Sequence, residues 1–155
     1  MKKLLLIFIM ISSLFAEDIT PKLVIDLTTS SIKDFDKKVL QNIAYNKTYY
    51  ENSLKELEVA VVIHGGAYRF FVNDIDKTVF KEEKELVKVY SDLKKRIATM
   101  ADTYEVEFLM CRAALSRYKL TEKDIVDFVK IIPNSTIGLI DKQNEGFAYI
   151  SVSDK

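Results

Sequence analysis

The chain has 155 residues, 48% of them hydrophobic, with only four glycines and two prolines. Such a composition suits one ordinary domain with a real core and excludes a disordered or linker-rich protein. Its 23 basic residues match its 23 acidic ones, so it lacks the basic excess needed to bind a phosphate backbone, and no nucleic acid partner is expected.

Lys2 and Lys3 open the chain, Leu4 to Ile11 is an unbroken apolar run, and Ser12-Ser13-Leu14-Phe15-Ala16 ends on a small residue. This is the order of a secretory signal cleaved after Ala16. The apolar run is shorter than the roughly 20 residues of a membrane-spanning helix. The expectation is a signal over residues 1–16, a single domain over 17–155, a periplasmic location and no membrane span after cleavage.

In chain order, residues 22–28 are apolar and β-branched, as a strand requires. Ser30 or Ser31 can cap a helix in which Ile32, Phe35, Val39 and Ile43, and later Leu54 and Leu57, recur at helical spacing. Residues 58–63 form a second strand with five apolar residues in a row, the pattern of a parallel sheet covered on both faces. His64-Gly65-Gly66 stops it. Residues 67–76 read as a short helix or ordered loop. From Phe80 onward Leu86, Tyr90, Leu93, Ile97 and Met100 mark one face of a long helix. A third strand over 105–110 leads into Cys111 and a short helix. Thr121 to Asp124 has the form of a capping box. Residues 128–132 make a fourth strand closed by Pro133, Asn134 or Ser135 caps a further helix, Gly146 ends it, and 147–152 is a fifth strand. Alternating strands and helices predict an α/β fold, a three-layer α/β/α sandwich around a mainly parallel five-stranded sheet. Neither strand order nor the direction of the last strand follows from periodicity.

In open parallel sheets, ligands and chemistry gather at the carboxyl ends of the strands. That rule selects Asp26 and Thr28, His64 to Gly66, Cys111, and Asn134 with Ser135. Cys111 and His64 are the sole cysteine and histidine of the chain. A lone thiol in an exported protein forms no internal disulfide, so it is either a buried packing residue or kept for chemistry. At a strand-to-helix junction its thiolate is favoured, and Arg112 adds positive charge if its side chain turns towards the sulfur. His64 is read either as an anion-binding or proton-shuttling partner of Cys111 or as a loop histidine bonded to backbone. Gly65 and Gly66 are compatible with close approach of an anionic ligand, and Asn134 lies at the same edge. Asp26 reads either as a strand-end polar residue of the site or, in preference, as a cap for the following turn. Tyr68, Phe70 and Phe71 cover the site, form a subunit interface or pack beneath the long helix, and Tyr149 reads as a packing or surface residue. One histidine and one cysteine fall short of a zinc site, so no metal and no cofactor are expected. No Gly-x-Ser-x-Gly elbow is present, which argues against a serine hydrolase of that type.

His64-Gly65-Gly66-Ala67-Tyr68-Arg69-Phe70-Phe71-Val72, the strand ending in Cys111, Ile131-Ile132-Pro133-Asn134, and the run from Gly138 to Tyr149 together resemble the DsrE/DsrF-like family, in order from Lys22 to about Val152. The resemblance implies an α/β/α domain that assembles into homo-oligomers, trimers or hexamers. It also implies sulfur relay, with sulfur carried as a persulfide on a cysteine and exchanged with donor and acceptor proteins. Cys111 stands at the matching junction and His64 is its implied companion. The competing readings are a non-enzymatic oligomer that binds a small anion in the same fold, and a thiol redox sensor.

Overall fold

The computed structural model describes residues 20–154; the signal expected over 1–16 lies outside them. Five strands, β1 (Lys22–Leu27), β2 (Glu58–Ile63), β3 (Glu107–Cys111), β4 (Val129–Ile132) and β5 (Ala148–Val152), form one sheet in the order β4-β3-β2-β1-β5. Every neighbouring pair is parallel, including the terminal β5 beside β1. The expected α/β/α architecture is present.

The connections explain why the two faces differ. From β1 to β4 each strand is laid beside the one before it, so right-handed crossovers place their covering segments on one face. That face carries α1 (Ile32–Asp34), a π-helical stretch (Phe35–Gln41) and α2 (Asn42–Glu51), which run on without a break, and α3 (Lys84–Asp102). The step from β4 to β5 must cross the whole sheet, and α4 (Ser135–Asn144) makes it on the opposite face.

Strand alternation sorts the side chains accordingly. Leu23, Ile25 and Leu27 of β1, Val59, Val61 and Ile63 of β2, and Phe108 and Met110 of β3 join the helices in the main core. Val24, Ala60, Val62, Leu109, Ile132 and Phe147 form the smaller core, against which Leu139 of α4 packs. Phe35 sits at the centre of the main core, stacked on Phe70 at 4.4 Å between ring centroids and edge-on to Phe71 at 5.8 Å. The apolar stripe expected on the long helix is the one buried: Leu86, Tyr90, Leu93, Ile97 and Met100. On the opposite face Gly138 lets α4 lie close to the sheet, since a Cβ there would come within 2.4 Å of Cδ1 of Ile132.

Two boundaries differ from expectation by two residues or more, and one segment left open takes a definite form. The helical period was extended to Leu54 and Leu57, but α2 ends at Glu51. Asn52 and Ser53, whose short polar side chains compete with helix geometry, begin a turn. Leu54 then has positive φ and lies fully in solvent, while Leu57 is buried as a lead into β2. The third strand starts at Glu107 because Glu105 has φ of 51° and cannot join a ladder. The segment after His64 is a 3₁₀ helix, Gly65–Phe70, followed by two more, Ile75–Lys77 and Val79–Glu82. The Thr121 turn is as expected: its backbone N–H and its hydroxyl both donate to Asp124, each at 2.7 Å.

Candidate functional site

The carboxyl ends of the strands collect the selected residues into two separate groups. Cys111 closes β3 and precedes the 3₁₀ segment Arg112–Tyr118. It is only 5% exposed and belongs to the main core. Its nearest polar neighbour is Tyr68, a fully buried tyrosine whose hydroxyl donates to the Cys111 carbonyl at 2.5 Å. Burial, and then hydrogen bonding to the Cys111 side chain, push the Tyr68 phenol far above its ordinary value. Tyr68 therefore stays protonated, with its one proton committed to the Cys111 carbonyl.

His64 follows Ile63, whose partner in β3 is Met110. It therefore leaves the sheet beside Cys111, on the next strand end. Its side chain shares the parity of Ala60 and Val62 and so faces α4, where it meets Asp26 of β1. His64 Nε2 lies 2.5 Å from Asp26 Oδ1. The second oxygen, Oδ2, accepts from the hydroxyl of Tyr149 on β5 at 2.7 Å. This contact is the largest cause of a raised Tyr149 phenol pKa, ahead of burial. Among the described residues no hydrogen bond joins His64 to Cys111.

The two glycines serve the chain's own packing. Gly65 has φ of 58°, and Gly66 donates its N–H to the Thr28 carbonyl at 2.9 Å. A Cβ on Gly66 would lie 2.8 Å from Cβ of Ser30 and 3.1 Å from the Thr28 oxygen. What approaches these glycines is the β1–α1 loop. That loop is clasped from its far side by Asp154, which accepts from the Thr29 hydroxyl and, at 3.0 and 2.7 Å, from the Ser30 N–H and hydroxyl. The hydroxyls of Thr29 and Ser30 draw the Asp154 carboxyl down from 3.8 to about 2.

Arg112 and Asn134 are engaged elsewhere. Arg112 Nε pairs with Glu122 at 2.8 Å, so its charge is directed to that turn. The Asn134 side chain accepts from the Ile137 N–H at 2.9 Å and caps α4, the role expected of it as a helix start. No cluster of three or more His, Cys, Asp or Glu side chains that could hold a metal occurs among the described residues, and no described helix is long and apolar enough to cross a membrane.

Reading Asp26 as a cap was wrong: it bridges two side chains from neighbouring strands. Sequence alone holds half the signal, since Asp26 is a charged residue inside an apolar strand, a position that demands a partner. Its partners depend on β5 lying beside β1, which the strand order alone reveals. Tyr149 was missed for the same reason. Tyr68 was found as part of the aromatic group, without its bond to Cys111.

Comparison with known proteins agrees with this geometry. The sequence model of the DsrE/DsrF-like family matches residues 15–152. An uncharacterized protein of Aquifex aeolicus (strain VF5) is 31% identical over 96 residues, 62% of this chain and 40% of the relative, so the match spans well under half of that protein's length. The solved structure of a protein of unknown function, MTH1491 from Methanobacterium thermoautotrophicum, superposes with a TM-score of 0.60 at 16% identity, covering 84% of this chain and 98% of that one. That likeness concerns the fold.

Proposed function

Since the chain belongs to the DsrE/DsrF-like family, a family of sulfur-relay-like proteins, we propose that it is a periplasmic sulfur carrier, sulfurtransferase-like in its chemistry, that holds sulfane sulfur as a persulfide on Cys111. The observation that carries the reading is Cys111 at the carboxyl end of a central parallel strand with the protonated hydroxyl of Tyr68 beside it. The hydroxyl gives its one proton to the Cys111 carbonyl and so fixes the strand end that carries the sulfur. With Arg112 paired to Glu122, the restraint on this strand end comes from Tyr68. Because Cys111 is 5% exposed, loading requires the segment that follows it to shift and admit the donor. Export rests on the order of charged, apolar and small residues over 1–16. Homo-oligomer formation rests on Ile137 and Ile140 of α4 and Tyr149 and Ile150 of the edge strand β5, large apolar side chains 41–51% exposed.

The test is incubation with polysulfide followed by intact mass. The expected result is a gain of one sulfur atom in wild type and none in Cys111→Ser; equal gain or no gain in both ends the proposal. Burial of Cys111 favours a second reading, a non-enzymatic small-anion-binding module in which the thiol merely packs. It requires Cys111 in the folded protein to resist a thiol reagent at neutral pH, and rapid labelling removes it.

A further inference from the structure

The group on the α4 face has a chemistry of its own. Asp26 is a carboxylate whose side chain is 15% exposed, and His64 beside it is 28% exposed. A carboxylate accepts hydrogen bonds and donates none. Contact at 2.5 Å between Asp26 Oδ1 and His64 Nε2 therefore places a proton on Nε2. In the neutral ring this leaves the lone pair on Nδ1, which no hydrogen bond engages among the described residues. Tyr149 donates to the remaining oxygen, so the carboxylate on β1 is held from the ends of β5 and β2, beside the point where the strand order reverses direction. Ligands of open parallel sheets enter at that point.

We propose that Asp26 and Tyr149 are positioning residues that hold His64 as the Nε2–H tautomer, with Nδ1 as a working base for thiols arriving at the carboxyl edge of the sheet. The inference rests on the sulfur-carrier reading in one respect, the identity of the exchange it assists. In that exchange Nδ1 takes the proton of an acceptor thiol, and the thiolate attacks the outer sulfur of the Cys111 persulfide. A new S–S bond forms as the bond to Cys111 Sγ breaks, the electron pair leaves on Sγ, and the proton on His64 returns to that thiolate. Sulfane sulfur changes carrier and no external oxidant or reductant is needed. His64 thus serves the incoming partner, while Tyr68 fixes the strand end that carries the resident sulfur.

The single histidine makes the test direct. In ¹⁵N-labelled full-length protein at mildly alkaline pH, wild type should show a protonated Nε2 and an unprotonated Nδ1, and Asp26→Ala a mixture of tautomers. Protonated Nδ1 in wild type, or an unchanged pattern in Asp26→Ala, overturns the proposal. Transfer to glutathione, compared per persulfide loaded, should slow about 100-fold in His64→Gln and about tenfold in Asp26→Ala. Tyr149→Phe, at a half-exposed position that leaves the fold intact, should slow it about threefold. Transfer at the wild-type rate in all three overturns the assignment. If Asp26→Ala does not fold, the wild-type tautomer and Tyr149→Phe decide. If wild type takes up no sulfur, the carrier function fails, and the tautomer measurements still decide whether Asp26 sets the ring.

Discussion

Two strand ends that are neighbours in the sheet carry different environments. Cys111 is sealed into the main core beneath the 3₁₀ segment after it and touches a tyrosine that cannot ionise at working pH. His64 is partly exposed on the face covered by α4 and is held by the Asp26 carboxylate, which in turn accepts from a second, exposed tyrosine. The contrast comes from topology. Three successive crossovers fall on one face and a single ten-residue helix on the other, so one face can hide a thiol while the other leaves a polar network within reach of solvent. Proximity along a sheet edge is therefore not enough to make a pair: Cys111 has the strand parity of Leu109, the same as His64, yet it is buried with the main core.

The unequal faces are tested most severely by truncation. Phe35→Ala removes a fully buried ring that stacks on Phe70, and should cost about 3–5 kcal/mol in denaturant unfolding. Leu139→Ala on the α4 face, where the side chain is only partly buried, should cost about 1 kcal/mol. Equal losses would dissolve the distinction between the faces.

Gly66→Ala should cost about 1–3 kcal/mol, because a Cβ meets Ser30 and backbone of the β1–α1 loop, which cannot yield as a flexible side-chain tip would. A variant as stable as wild type would mean that the turn has room for a ligand after all. Tyr68→Phe strips the donor from the Cys111 carbonyl and should lower stability by about 1–2 kcal/mol. The same variant should label faster at Cys111, the only thiol, as the strand end loosens. Slower labelling would mean that the hydroxyl activates the sulfur more than it restrains the segment.

The smallest effect belongs to Asp154, an exposed carboxyl whose folded value of about 2 lies below its ordinary 3.8. A depressed value means that its contribution is full above about pH 4 and fades as pH falls through about 2. Solvent screening keeps it under about 1 kcal/mol. Acid titration of the melting temperature should show this loss in wild type and not in Asp154→Asn.

The five strands, the buried stripe of α3, the cap at Asn134 and the stop at Gly146 were all legible in sequence, because each depends on neighbours within a few residues: alternation, helical period, short polar caps and a flexible glycine. The end of α2 misled because Leu54 and Leu57 keep an apolar period beyond the helix itself. Cys111 and His64 were legible as strand-end residues by the same local rules, and the rarity of their residue types singled them out.

What only the tertiary structure decided were the partners of these residues. Asp26 meets Tyr149 across 123 positions, Tyr68 meets Cys111 across 43, and Gly65 and Gly66 receive a loop of the chain itself. Such contacts depend on strand order and on the face to which each side chain turns, quantities that carry no local signature. The sequence by itself determined which elements form and which reactive groups reach the sheet edge. Folding buried the thiol in the main core and set the imidazole against Asp26, since packing between distant segments, and not strand alternation, fixes the partners of a residue at a strand's last position.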